Sequence, residues 1–118
     1  MEPVAEISPN EAFSLLTEQG ALVLDVREPE EWDVGHAPFA TLMPFGELVE
    51  HREMLPTGRP VLLLCWREQR SYEAARMLRM LGHEALVVRG GLEAWREAGY
   101  PVVGGRGDAL APTESPDA

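Results

Sequence analysis

Short runs of consecutive aliphatic residues alternate along this chain with stretches of helical spacing. Ala21-Leu22-Val23-Leu24, Val61-Leu62-Leu63-Leu64 and Ala85-Leu86-Val87-Val88 are unbroken apolar runs, the pattern of strands buried on both faces. Thr41-Leu42-Met43 is shorter and reads as an edge strand. Between them, Ser8-Pro9-Asn10-Glu11 opens a helix: Ser8 caps, Pro9 suits the first turn, and Glu11 completes a capping box. Ala12, Leu15 and Leu16 continue it at helical spacing until Gly20. Glu28-Pro29-Glu30-Glu31-Trp32 predicts a short acidic turn of helix, and residues 45–54 have loosely helical spacing that stops before Pro56. Residues 71–81 predict a helix with Ala74, Ala75, Leu78 and Leu81 on one face and Gly82 as its stop. Gly90-Gly91 turns the chain into a last helix over residues 92–98.

Strands alternating with helices at this spacing predict an α/β domain, a parallel sheet covered on both faces by helices. Reactive groups in such folds collect beyond the carboxyl ends of the strands. Asp25, Cys65 and Gly90 all fall there. Residues 104–118 carry no periodicity and are rich in Gly, Pro, Ala and acid, so the expected division is a folded domain over residues 1–103 and a disordered acidic tail over 104–118.

At 118 residues the chain is long enough for one core without disulfides or a structural metal. Its formal charge of −10 repels phosphate backbones and anionic lipid, which argues against nucleic-acid and membrane partners. Every basic residue is arginine, so chemistry that needs a lysine ε-amine is excluded. A single cysteine, Cys65, excludes an internal disulfide and multi-cysteine metal sites. His36, His51 and His83 lie far apart with no ligand spacing, so no metal site is expected. The first residues lack the basic and apolar regions of a secretory leader, and no apolar run approaches a membrane span. The expectation is a soluble, cytoplasmic domain with a reduced thiol.

The candidate chemistry lies in Cys65-Trp66-Arg67-Glu68-Gln69-Arg70-Ser71. A lone cysteine ending a buried strand is commonly an inert packing residue. Here a short loop leads straight into a helix, whose N-terminal N–H groups and partial positive charge lie near the sulfur. Arg67 and Arg70 add positive charge and Glu68 offsets part of it. Such surroundings favour thiolate and could hold an anionic sulfur or oxyanion ligand.

Three motifs, in order, resemble the rhodanese-like family. They are Leu24-Asp25-Val26-Arg27-Glu28 with Glu31-Trp32 and Gly35-His36-Ala37-Pro38; Val61-Leu62-Leu63-Leu64-Cys65 with four residues before Arg70-Ser71; and Gly90-Gly91-Leu92-Glu93-Ala94-Trp95 with Gly99-Tyr100-Pro101-Val102. The resemblance implies a three-layer α/β/α domain with a central, mostly parallel sheet of about five strands. It also implies sulfurtransfer from a sulfane donor (thiosulfate or a persulfide) to a cyanide, thiol or protein acceptor through a Cys65 persulfide, with no metal or organic cofactor. Backbone N–H groups of residues 66–70 would cradle the persulfide, with Arg70 as the loop's fixed cation and Asp25 and Arg27 supporting the loop. For Arg27, a surface ion pair ending the strand is the close second reading. His36 matches the family's turn histidine, with a structural hydrogen bond as its expected role. Trp95 and Trp32 are expected as core anchors, and His51 and His83 as ordinary surface residues.

The loop departs from the common Cys-Arg-Ser-Gly-x-Arg pattern at Trp66 and Glu68. Trp66 is large enough to wall the pocket. Glu68 places negative charge where a dianion would approach, unless it points outward to pair with Arg67. As a non-glycine residue it also restricts any positive φ the loop needs. Cysteine phosphatases, some of which share this fold, place five residues between cysteine and arginine; four stand here, which shrinks the cradle. The remaining alternative is a non-turnover persulfide carrier or regulatory binding module.

Overall fold

The computed structural model describes residues 4–104 and the backbone of residues 109–110. Its central sheet has five strands, all parallel: β1 (Glu6–Ile7), β2 (Leu22–Asp25), β3 (Ala40–Leu42), β4 (Val61–Leu64) and β5 (Ala85–Val88), in the order β1-β5-β4-β2-β3. The helices are α1 (Pro9–Gln19), α2 (Pro29–Val34), α3 (Gln69–Met80) and α4 (Gly91–Glu97). No helix among the described residues is long and apolar enough to cross a membrane.

Side-chain alternation along β4 separates the two layers of core. Val61, Leu63 and Cys65 face Ala74, Ala75 and Leu78 of α3, together with Leu24, Leu48 and Val87. Leu62 and Leu64 face the opposite way, onto Ala12 of α1 and Leu92 and Trp95 of α4. Both faces of β4 are therefore dry, which is why its run has no polar interruption.

The order of the strands reverses direction between β4 and β2, and the crevice at such a switch point lies beyond the strands' carboxyl ends. Asp25 ends β2 and Cys65 follows β4, and Val26 N–H donates to the Leu64 carbonyl at 2.9 Å to hold the two ends together.

The capping box on α1 forms as expected, with Ser8 accepting from Glu11 N–H and Glu11 accepting from Ser8 N–H, both at 3.1 Å. Other elements differ from expectation. Helix α3 begins two residues earlier, at Gln69, and Leu81 lies half out of the core as its cap. Residues 45–54 form two separate 3₁₀ turns, Phe45–Glu47 and Arg52–Met54, rather than a helix. Of that segment only Leu48 is buried, while Val49 and Met54 are exposed, so too little apolar surface is gained to offset a helix nucleus. β1 is only two residues long and escapes a periodicity reading altogether. The tail expectation falls mostly outside the described residues, but Ala109–Leu110 forms a strand, β7, antiparallel to β6 (Val102–Val103).

Candidate active site

Cys65 is 2% exposed and heads a cavity of about 220 Å³ lined by Cys65, Trp66, Arg67, Glu68, Gln69 and Arg70. The loop's carbonyls turn away from that cavity. Leu92 N–H donates to the Cys65 carbonyl at 2.8 Å and Glu93 N–H to the Trp66 carbonyl at 3.2 Å, so the first turn of α4 holds the loop by its acceptors. The amide N–H groups of residues 66–70 find no acceptor among the described residues. With two of the loop's carbonyls engaged by α4 and its N–H groups unpaired, the loop offers donors rather than acceptors to an anion at the cavity. The Ser71 hydroxyl, fully buried at the start of α3, is likewise without a partner.

Two charged side chains brace the loop from β2 and α2. Arg27 is buried, and its guanidinium grips the buried Asp25 carboxylate twice, Nε to Oδ1 at 2.9 Å and Nη2 to Oδ2 at 2.8 Å. It also donates to the Gly35 carbonyl at 2.7 Å, and so ties the far end of α2 to the end of β2. Helix α2 in turn presents Glu31, whose carboxylate accepts from both ends of the Arg70 fork, at 2.6 and 2.9 Å. Arg70 is thus fixed bidentately beside the cysteine, with its charge shared with Glu31. Its pKa is raised first by those hydrogen bonds and, more weakly, by attraction to the thiolate form of Cys65 and to Asp25.

A family model described as a rhodanese-like domain matches residues 8–98. The chain belongs to the rhodanese-like domain family. It is 30% identical over 103 residues to the thiosulfate sulfurtransferase GlpE of Vibrio cholerae, covering 86% of this chain and 97% of that protein. A rhodanese-related protein from Thermoplasma volcanium is 32% identical with a TM-score of 0.77, covering 84% of this chain and 97% of the other. The rhodanese-like domain of Anabaena Alr3790 is 27% identical with a TM-score of 0.77, covering 98% of this chain and 86% of the other.

Within this rhodanese-like domain several side chains stand elsewhere than the sequence suggests. Arg67 does not lend its charge to the sulfur. It lies largely in solvent and pairs with Glu93 at 3.0 Å, because the docking of the loop on α4 places that carboxylate beside it. Glu68 does not pair with Arg67; its Oε1 accepts the Gly90 N–H at 2.7 Å. Nor does position 68 need a glycine, since its φ is −142° and no non-glycine residue in the described chain has positive φ. The Asp25–Arg27 pair is not a surface pair but a buried one. Trp66 lines the cavity and carries the Arg96 guanidinium over its ring at 5.9 Å. Gln69 lines the cavity from an exposed position.

Trp95 is a core residue, with its indole N–H donating to the Pro101 carbonyl at 3.0 Å. Trp32 is only half-buried and stacks on His36 at 3.6 Å between ring centroids. His36 Nδ1 lies 2.8 Å from the Trp32 carbonyl, and its backbone bridges to Val103. His51 lies 3.5 Å from Glu47, and His83 is half-buried after α3.

The buried pair predicts a large stability effect. Among the described residues, Arg27→Met leaves the Asp25 carboxylate buried with only the backbone N–H of position 27 as donor, at 3.0 Å. Breaking such a pair costs about 3–5 kcal/mol, read as a lowered urea midpoint, and Asp25→Asn in the same chain should recover part of it. A loss below about 1 kcal/mol would count against the brace.

Acid should loosen the loop's outer brace. The Glu31 carboxyl is held below its ordinary range, first by the Arg70 hydrogen bonds, then by the Glu28 backbone N–H and the charges of Arg70 and Arg27, with burial opposing. A carboxylate favoured in the folded state adds stability above its unfolded pKa and loses it as pH falls through the lower folded one. With both side chains a little over a third exposed, the contribution is under about 1 kcal/mol. The Tm difference between wild type and Glu31→Gln should therefore be flat at neutral pH and close below the ordinary carboxylate range. A difference that persists unchanged into strong acid would exclude this origin.

Proposed function

We propose that this domain is a sulfurtransferase that carries a sulfane sulfur on Cys65. The observation that carries the reading is the cavity headed by Cys65 and walled by a loop whose five amide donors have no acceptor among the described residues. Family membership and the likeness to a thiosulfate sulfurtransferase support it.

The Cys65 thiolate attacks the outer sulfur of the donor. A new S–S bond forms to Cys65 as the donor's own S–S bond breaks, and its electron pair leaves with sulfite when the donor is thiosulfate. An acceptor nucleophile, such as cyanide or a thiol, then attacks the terminal sulfur, and the pair returns to Cys65 as thiolate. Two easier displacements replace one difficult transfer. The free N–H groups of residues 66–70 stabilise the negative charge on the terminal sulfur between the two steps. The bidentate Arg70 adds a fixed positive charge at the cavity wall. Neither step requires a metal or an organic cofactor.

The test is mass spectrometry after incubation with thiosulfate or with a small-molecule persulfide. One sulfur atom should be added per chain, and cyanide or a thiol should remove it. No addition from either class of donor would overturn the reading. Loading only from the persulfide would set thiosulfate aside as the substrate and keep the carrier chemistry.

A further inference from the structure

Glu68 lines the cysteine cavity, but its carboxylate Oε1 is already engaged. It accepts the Gly90 N–H at 2.7 Å, across 22 residues of sequence, at the turn that opens α4. The loop and that turn are close-packed: a Cβ at Gly91 would lie 2.0 Å from the Arg67 carbonyl oxygen and 2.5 Å from that of Cys65. Three polar ties cross the same seam, from Leu92 N–H to the Cys65 carbonyl, from Glu93 N–H to the Trp66 carbonyl, and between Arg67 and Glu93. The two backbone ties hold the near end of the loop. The far end, where the chain enters α3, is held to the turn by Glu68 alone among the side chains of residues 68–70, since Arg70 faces α2.

We propose that Glu68 is a positioning residue: by accepting the Gly90 N–H it pins the far end of the cysteine loop, and so sets where the loop's free amides stand around the sulfur of Cys65. The inference rests on the persulfide reading above for its effect on rate, but not for its effect on loop geometry. Its physical content is reach, not charge. A side chain of glutamate length with an oxygen acceptor at its end is required.

Reach and charge are separated by two variants. Glu68→Asp keeps the charge but is one methylene too short to meet Gly90. Glu68→Gln keeps the acceptor and loses the charge. Glu68→Ala loses both. With thiosulfate as donor, the rate of sulfur uptake per molecule should fall about tenfold for Asp and for Ala, equivalent to about 1.4 kcal/mol. Gln should recover most of what Ala loses, and exceed it where relief of charge repulsion toward the dianion adds to the tether. Amide hydrogen exchange supplies the arm that needs no sulfur chemistry: Gly90 N–H should exchange faster in Asp and Ala than in Gln or wild type.

Equal exchange at Gly90 in all four proteins would overturn the proposal, as would Asp behaving like wild type in uptake while Gln alone changes. The latter outcome would assign Glu68 a purely electrostatic role. If wild type takes up no sulfur from thiosulfate or from a small-molecule persulfide while the exchange pattern holds, the sulfurtransferase reading fails and the tether stands. If Ala does not fold, the comparison of Asp with Gln decides the matter.

Discussion

Cys65→Ser should take up no sulfur from thiosulfate or from any persulfide, and its turnover should fall to background. The serine oxygen remains protonated at neutral pH, and it can neither attack a sulfane sulfur at a useful rate nor hold it as a persulfide. The substitution is close to isosteric and sits at the end of β4, where the side chain continues the Val61-Leu63 face against α3. The new hydroxyl shares the cavity with loop residues whose N–H groups lack acceptors among the described residues, so it need not be buried unsatisfied. The fold should therefore persist, with far-UV dichroism unchanged and Tm within a few degrees. Mass spectrometry and steady-state kinetics read the two expectations separately. Normal sulfur transfer by Cys65→Ser would end the mechanism, whereas an unfolded variant would show only that the site is structurally demanding.

Gly91→Ala should be heavily damaging, in stability and in rate together. The Cβ it adds meets three backbone carbonyl oxygens of the cysteine loop, at 2.0, 2.5 and 2.6 Å from Arg67, Cys65 and Trp66. None of these is the end of a flexible side chain, so loop and helix must part by more than 1 Å. Gly91 also has a φ of +62°, which costs an L-residue roughly 1–2 kcal/mol by itself. Overpacking adds roughly 1–3 kcal/mol. The bonds from Leu92 and Glu93 N–H to the loop carbonyls would stretch with the same movement, and the amides around Cys65 would turn with them. A misplacement of that size costs on the order of 100-fold in rate. Gly82→Ala is the natural control, because Gly82 has a φ of +93° and open space where its Cβ would go. It should lose the backbone term alone and leave sulfur uptake untouched. Equal losses of Tm and kcat/KM in the two variants would refute the close-packed seam.

The parallel sheet, its helical cover and the place of Cys65 at the end of β4 were all legible in the pattern of residues. Unbroken aliphatic runs such as 61–64 have few structures open to them besides strands buried on both faces, and strands spaced by helix-length segments must cross over in parallel. A cysteine ending such a run stands at the sheet's reactive edge whatever surrounds it. The capping box at Ser8 and Glu11 was legible too, because both partners lie three residues apart. These features depend on neighbours along the chain, and local spacing determines them.

Only the tertiary structure decided the partners of the charges. Counted along the loop, Arg67, Glu68 and Arg70 looked like a local electrostatic field around the sulfur. In the fold each is taken by a group 22 to 39 residues away: Arg67 by Glu93, Glu68 by Gly90 N–H, Arg70 by Glu31. Long charged side chains have many rotamers, and which acceptor they reach depends on how helices seat on the sheet. The same holds for Asp25 and Arg27. Their proximity was evident, but whether the pair was wet or dry depended on α2 folding over it. Short-range periodicity thus determined the scaffold and the address of Cys65. The packing of α2 and α4 against the ends of β2 and β4 decided which charges face the sulfur and which are spent holding the loop in place.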